Sequence, residues 1–371
     1  MTRASQEDAN RMRAALALAR RGLGSTWPNP TVGCVIAKDG VVLGRGVTQP
    51  GGRPHAEQVA LEQARARWGA GSLRGATAWV SLEPCAHHGR TPPCADALAT
   101  AGVARVVSTI EDPDPRVSGR GFAALRAAGV AVETGVLASE ARSLNAGFLS
   151  RIERGRPWLI LKLAASLDGR IATAGGESRW ITGPEARARV HLMRAQSDAV
   201  LIGAGTARAD DPTLDVRLAG LAGRKPVRVV ADGGLSLPPA SRLARGARDA
   251  PLWLLHRGDA DVARFASGGA ELIATRALGD GGLDLCDALA RLSARGIGRM
   301  LCEGGGRLAA SLLRAGLVDE IAWFGAGAAI GAEGAASIGD LELARLAEAP
   351  RFRLSEVETL GADVLGTWRR G

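Results

Sequence analysis

His55-Ala56-Glu57, Pro84-Cys85 and Cys94 are the residues whose types and spacing most directly suggest chemistry. One imidazole and two thiolates offer three tetrahedral positions to zinc and leave the fourth open, the donor set of a catalytic rather than a structural site. Glu57 opens a stretch of helical composition two residues from His55, where it can shuttle protons without binding metal. Zinc lowers the pKa of bound water towards about 7, which makes hydrolysis available at neutral pH. Glu57 then takes the water proton and delivers it to the leaving group. A helix N-terminus and the metal together favour thiolate at Cys85 and Cys94. A structural site would draw a fourth protein ligand, for which His87 and His88 are candidates; the H-x-E and P-C contexts favour the open site.

These residues need a scaffold, and the pattern around them supplies one. Residues 8–21 read as an amphipathic helix with Met12, Leu16 and Ala19 on one face. Apolar runs at 31–37 and 41–46 flank Lys38-Asp39-Gly40, an Asp-Gly hairpin signal. A helix at 55–67, a strand at 76–82, a helix at 94–101 and a strand at 105–110 follow, and 122–128 and 130–134 complete an α/β alternation. Arg151-Ile152-Glu153-Arg154-Gly155-Arg156-Pro157 is polar, carries Gly and Pro, and suits a linker between a domain at 1–150 and one at 156–371. Beyond it, strands are expected at 158–165, 199–203, 227–231, 252–256, 271–274, 299–302 and 320–324, with helices at 184–195, 283–294 and 308–315. The second half is therefore another α/β domain.

The bulk properties exclude several classes. A chain of 371 residues exceeds what one core usually holds. A hydrophobic content of 46% suits a sizeable core. No apolar run reaches the roughly 18 residues of a membrane span, and the polar N-terminus lacks a signal-peptide core. Five cysteines, an odd and sparse set, argue for a reducing compartment, with the cytoplasm the expected location. Cys34, Cys286 and Cys302 are expected to fill apolar space. The net charge of +9 comes mostly from scattered Arg, without the blocks or aromatic interleaving of a nucleic-acid binder. Arginine equally suits small phosphorylated ligands.

The histidine, glutamate and paired cysteines also match H-x-E…P-C-x-x-C, the signature of zinc nucleobase deaminases, except that the second cysteine comes nine residues after the first. The match extends further. Thr26-Trp27-Pro28-Asn29-Pro30-Thr31-Val32-Gly33-Cys34-Val35, Pro54-His55-Ala56-Glu57 and the run from Glu83 through His87, Arg90 and Thr91 to Cys94 resemble the bifunctional riboflavin-biosynthesis deaminase–reductases. Leu161-Lys162, Ser166-Leu167-Asp168-Gly169-Arg170, Ser178-Arg179-Trp180-Ile181-Thr182, Ala209-Asp210-Asp211-Pro212, Cys302-Glu303-Gly304-Gly305-Gly306 and Leu317-Val318-Asp319-Glu320 resemble the reductase half of that family. The resemblance covers essentially the whole chain, in order.

It implies an N-terminal cytidine-deaminase-like three-layer α/β/α domain and a C-terminal dihydrofolate-reductase-like α/β domain. The implied reactions are hydrolytic deamination of 2,5-diamino-6-ribosylamino-4-pyrimidinone 5′-phosphate, then NADPH-dependent reduction of the ribosyl group to ribityl. One zinc ion per chain and NADPH are the implied cofactors. By resemblance Asn29 and His87 hydrogen-bond the base, and Arg90 and Thr91 hold the ribose phosphate. Ala164, Trp180, Thr206, Asp210, Gly305, Gly306 and Arg307 would contact NADPH. Ser178, Arg194, Leu214, Arg217 and Glu303 would contact the reductase substrate, with Arg194 and Arg217 as its phosphate clamp. Lys162 is a further polar candidate on an apolar strand; a place at the solvent edge of the sheet would explain it equally. Core packing would explain Trp180, and a solvated helix face Arg194. Small residues after strands, at 203–206 and 304–306, permit close backbone approach to a cofactor, although neither is a G-x-G-x-x-G fingerprint. The family often carries a histidine seven residues before its zinc histidine, where this chain has Thr48.

The expected partner is a small phosphorylated substrate, with no nucleic acid and no membrane, and a homo-oligomer is expected. Two other readings remain: a nucleic-acid-editing zinc deaminase, and a zinc-stabilised binding module without activity.

Overall fold

The Asp39-Gly40 turn reverses the chain with both residues at positive φ, 50° and 78°, as a two-residue hairpin turn of matching twist requires. It joins β1 (Gly33–Lys38) to β2 (Val41–Val47). In the computed structural model, which describes residues 3–86, 92–265, 268–279 and 281–371, this hairpin lies in the first of two units, Met1–Gly155 and Arg156–Gly371.

The first unit contains α1 (Arg3–Arg20), the β1–β2 hairpin, α2 (Ala56–Trp68), β3 (Thr77–Val80), α3 (Cys94–Thr100), β4 (Arg105–Ser108), α4 (Arg120–Ala127), β5 (Ala131–Glu133), α5 (Ala138–Leu144) and α6 (Ala146–Arg154). The sheet runs β2-β1-β3-β4-β5; β1 is antiparallel to both neighbours, and the remaining pairs are parallel. Side chains alternate across β1. Cys34 and Ile36 enter a core with residues of α2, α3 and α6, while Val35 and Ala37 face one with α1 and α5. That is the expected three-layer α/β/α arrangement. Gly46 lets β2 and α2 meet closely: a Cβ there would lie 1.9 Å from the Ala56 carbonyl oxygen.

The polar run expected as a linker is largely helix. Residues 151–154 finish α6, whose Phe148 and Leu149 are buried, and Gly155 ends it at φ 65°. Polar residues on the outer turn of an amphipathic helix look like a linker when the buried face lies just upstream.

The second unit contains β6 (Trp158–Ala165), β7 (Arg170–Ala172), α7 (Pro184–Ala195), β8 (Ala199–Gly203), α8 (Ala204–Asp210), β9 (Val227–Ala231), α9 (Arg242–Arg245), β10 (Leu252–Arg257), β11 (Glu271–Thr275), α10 (Leu285–Ala294), β12 (Arg299–Cys302), α11 (Gly306–Arg314), β13 (Glu320–Gly325), β14 (Ala335–Ala336), β15 (Phe352–Leu360) and β16 (Asp363–Arg370). Its main sheet runs β11-β10-β9-β8-β12-β6-β13-β16-β15. The strands from β11 to β13 are parallel, and β16 and β15 close the edge antiparallel. Apolar runs such as Val200–Ile202 are buried, as a sheet covered on both faces requires. Asp319 braces the start of this unit. It takes two 2.7 Å bonds from Arg156 and one of 2.8 Å from the Leu159 amide.

Among the described residues, no helix is long and apolar enough to cross a membrane. All five cysteines are free. Cys34 and Cys302 are buried as expected, but Cys286 is exposed on the first turn of α10, which turns Leu289 and Leu292 inward instead.

Candidate functional site

Helix starts and a strand-end loop assemble the first site. His55 immediately precedes α2 with extended backbone, Glu57 lies in the first turn of α2, Cys85 follows β3, and Cys94 is the first residue of α3. The His55 Nδ1 atom is 3.5 Å from Cys85 Sγ and 3.4 Å from Cys94 Sγ, and the three donor atoms lie within 4.8 Å of one another. Ligands at zinc–nitrogen and zinc–sulfur bond lengths around a tetrahedral ion lie about 3.5–3.8 Å apart, so the trio fits zinc. The Cys94 backbone N–H donates to Cys85 Sγ at 3.4 Å. Hydrogen bonding from Cys94, then from His55, holds the Cys85 thiol down at about 4, whereas the contact with Cys85 pushes the Cys94 thiol up. Two sulfurs this close to one imidazole nitrogen are placed to share a cation. Glu57 is buried, 3% exposed. Burial first, and the negative charge at Cys85 second, lift its carboxyl to about 7.

Asn29 is half-buried, and its Nδ2 donates to the Gly52 carbonyl at 3.1 Å. That bond ties the loop before β1 to the loop before His55. His87, Arg90 and Thr91 lie outside the described residues, as does His88. Thr48 is buried; its hydroxyl accepts the Val32 N–H at 3.0 Å, so it pins the end of β2 to the start of β1.

Glu83 escaped the reading of individual residues. Its buried carboxylate accepts four backbone N–H groups: Asp112 at 3.1 Å, Gly119 at 3.0 Å, Gly121 at 2.8 Å and Phe122 at 3.2 Å. It fastens the Cys85 loop to the start of α4. Its place two residues before Cys85 was the available signal, and the partners 29 to 39 residues away were not.

In the second unit a cavity of about 980 Å³ is lined by Lys162, Ala164, Ser178, Trp180, Arg194, Thr206, Asp210, Leu214, Arg217, Glu303 and Gly305. The structure thus brings together residues from β6, α7, α8 and the loops between them. Gly306 and Arg307 stand outside that lining. Gly306 packs against the 336–339 segment, where a Cβ would lie 2.8 Å from the Ala336 oxygen, and Arg307 is exposed on α11.

Three of the simpler explanations fail here. Lys162 is on β6, an interior strand between β12 and β13, and burial lowers its pKa against the opposing pull of Glu303. Trp180 is 68% exposed, with the Arg187 guanidinium 4.6 Å from its ring centroid. Arg194 is not a solvated surface residue: its Nε and Nη2 grip both Glu303 oxygens at 2.5 and 2.8 Å, and Nη1 reaches the Asp215 carbonyl at 2.9 Å. Burial works to raise the Glu303 pKa, but Arg194 holds it below the usual range. The Thr206 hydroxyl accepts the Gly305 N–H at 2.9 Å and fixes the glycine loop. Leu214 is buried at a positive φ of 54°. Arg217 is mostly exposed, 3.4 Å from Asp215. Burial pushes the Cys302 thiol, just before Glu303, up to about 12, so it is inert.

Comparison with known proteins agrees with both halves. The profile of the cytidine and deoxycytidylate deaminase zinc-binding region matches residues 5–110, and that of the RibD C-terminal domain matches residues 157–365. The riboflavin biosynthesis protein RibD of Escherichia coli is 44% identical over 373 residues, covering 96% of this chain and 98% of its own. The RibD structure from Acinetobacter baumannii matches with a TM-score of 0.88 at 38% identity, over 99% of each chain. A diaminohydroxyphosphoribosylaminopyrimidine deaminase/5-amino-6-(5-phosphoribosylamino)uracil reductase from Thermotoga maritima matches with a TM-score of 0.87 at 34% identity, again over 99% of each. Fold and sites together define a zinc deaminase joined to a nicotinamide-dependent reductase. The chain belongs to the RibD family of bifunctional riboflavin-biosynthesis enzymes.

Proposed function

We propose that the chain performs both reactions of its family, with the residues described above in definite roles. The placement of buried Glu57 beside the His55–Cys85–Cys94 trio carries the first half of this reading. His55, Cys85 and Cys94 hold zinc, which when bound supplies an activated water at neutral pH. Glu57 would carry protons one at a time from that side of the site, the first to the ring nitrogen and the second to the departing ammonia. Asn29 orients the pyrimidine, and its bond to Gly52 holds it in place for that. His87, Arg90 and Thr91 are assigned to base and ribose phosphate by resemblance alone.

In the second unit the cavity holds NADPH and the deaminated substrate together. NADPH supplies the hydride; the chain supplies orientation and a site from which water is excluded. Ala164, Trp180, Thr206, Asp210, Gly305, Gly306 and Arg307 are assigned to the cofactor. Ser178, Arg194, Leu214, Arg217 and Glu303 are assigned to the substrate, with Lys162 beside them. Because Glu303 already balances the Arg194 charge, Arg217 is the more available member of the phosphate clamp. A single small phosphorylated pyrimidine passes through both reactions, with no nucleic acid engaged. Free thiols at all five cysteines suit a reducing compartment such as the cytoplasm. A homo-oligomer is part of this reading.

The test follows ammonia and NADPH absorbance after zinc-loaded protein receives the diaminopyrimidinone ribosyl phosphate. Ammonia release without NADPH, then NADPH oxidation once it is added, is the expected sequence. Folded, zinc-loaded protein that releases no ammonia would refute the substrate assignment.

A further inference from the structure

Two phosphorylated ligands share the reductase cavity in the proposed function, and each needs a cation. Six basic side chains line the cavity: Lys162, Arg179, Arg187, Arg194, Arg217 and Arg242. Four are engaged. Arg179 donates to the Asp210 carbonyl at 3.2 Å, and Arg187 donates to the Thr182 carbonyl at 2.7 Å while covering Trp180. Arg194 is gripped by Glu303, and Arg217 stands 3.4 Å from Asp215. Among the described residues, the side chains of Lys162 and Arg242 make no hydrogen bond or ion pair. Lys162 lies on the interior strand within the field of Glu303 and Arg194. Arg242 is exposed, so it can meet a ligand group without giving up a partner.

The backbone holds Arg242 at the end of the cavity assigned to the cofactor. Its N–H donates to Asp211 Oδ1 at 2.7 Å, and Asp211 directly follows α8, which carries Thr206 and Asp210. The Ser241 side chain caps α9 through the Ala244 N–H at 3.3 Å, so the residue before Arg242 is anchored as well. Arg194, Arg217 and His191 form a separate group, joined through the Asp215 carbonyl and the Arg217 N–H. Asp211 places negative charge beside the Arg242 backbone, so a phosphate at this end needs a facing cation to be tolerated.

We propose that Arg242 binds the 2′-phosphate of the dinucleotide and is the residue that makes the reductase discriminate NADPH from NADH. Asp211 acts as its positioning residue, spending its carboxylate on the Arg242 backbone. A guanidinium matches phosphate with two parallel donors, which lysine cannot do. The inference rests on the reading of this cavity as a nicotinamide site, and its test separates the two.

Binding of 2′,5′-ADP and of 5′-AMP, which lacks only the 2′-phosphate, to the full chain, measured by calorimetry, requires no turnover. Wild type is expected to favour the 2′-phosphorylated ligand by about 10- to 100-fold, the effect of a hydrogen bond to a charged group. Arg242→Ala is expected to bind both alike, with 5′-AMP affinity unchanged, and Arg242→Lys to retain part of the preference. Steady-state reduction should show a higher KM for NADPH with unchanged KM for NADH and for the aminouracil substrate. Unchanged far-UV circular dichroism and deamination rate serve as controls for folding. The proposal is overturned if wild type does not discriminate, if Arg242→Ala keeps the preference, or if the loss falls on the aminouracil KM instead. Discrimination between the two adenosine phosphates without reduction by either cofactor would sink the activity assigned to the cavity while leaving Arg242 in its role.

Discussion

The two sites are built on opposite plans. The proposed deaminase centre concentrates its chemistry in His55, Glu57, Cys85 and Cys94, at the starts of two helices and in one loop. The cavity assigned to the reductase spreads its work over a strand, helices and glycine loops, and its Arg194 and Glu303 already neutralise each other. Hydrolysis requires particular donors and a proton carrier at fixed spacing, whereas hydride transfer leaves the reactive chemistry to the cofactor and asks the protein for shape and orientation. Losing one residue should therefore be catastrophic in the first site and graded in the second.

Metal removal probes that contrast most severely. Chelation, or Cys94→Ser, should abolish ammonia release by about a thousandfold or more. Reduction of pre-formed aminouracil should persist; metal analysis and the two rates measured side by side decide it. Equal loss of both activities would erase the distinction between the sites.

A smaller effect is expected from Glu303→Gln, which leaves the partly buried Arg194 without its counter-charge. Breaking such a pair costs about 3 kcal/mol, so the reductase unit should melt earlier in denaturant and the substrate KM should rise, with deamination unaffected. Glu83→Gln is the matching change in the first unit. Each glutamate oxygen accepts two N–H groups, so a glutamine must turn its own NH2 towards two donors. A cost of about 1–3 kcal/mol in that unit is expected, read from chemical denaturation.

The smallest effect is a pH dependence. Hydrogen bonds from Arg105 at 2.9 and 2.7 Å hold the Asp8 carboxyl below its ordinary 3.8. A depressed carboxyl contributes stability above the unfolded value, and that stability is lost as pH falls through the folded value. Asp8→Asn should therefore lower stability by about 1 kcal/mol or less at neutral pH. The difference from wild type should fade in acid below about 3.8, as read from urea midpoints across pH.

The contrast between the sites also explains what could be read without coordinates. The clustering of His55, Cys85 and Cys94 with Glu57 was legible because metal and proton chemistry restrict residue type and spacing. The parallel strands were legible as apolar runs buried on both faces. The closing hairpin of β15 and β16 was not, because β15 is an edge strand with mostly exposed side chains and no continuous apolar run. The pairing of Arg194 with Glu303 joins residues 109 apart and leaves no local trace. Glu83 lay in plain view beside Cys85, but its role depends on the distant amides it holds. Arg242 belonged to no motif at all, and only the fold brought its N–H to Asp211.

The central claim is that two chemically independent sites act in succession on one substrate. Glu57→Gln tests it most directly, with zinc content and folding verified and NADPH present. The variant is offered the diaminopyrimidinone and, separately, the deaminated aminouracil. The account predicts no turnover of the first and wild-type NADPH oxidation with the second. Continued deamination would remove Glu57 from its role, and collapse of both reactions in a folded, zinc-loaded variant would contradict the independence of the two sites.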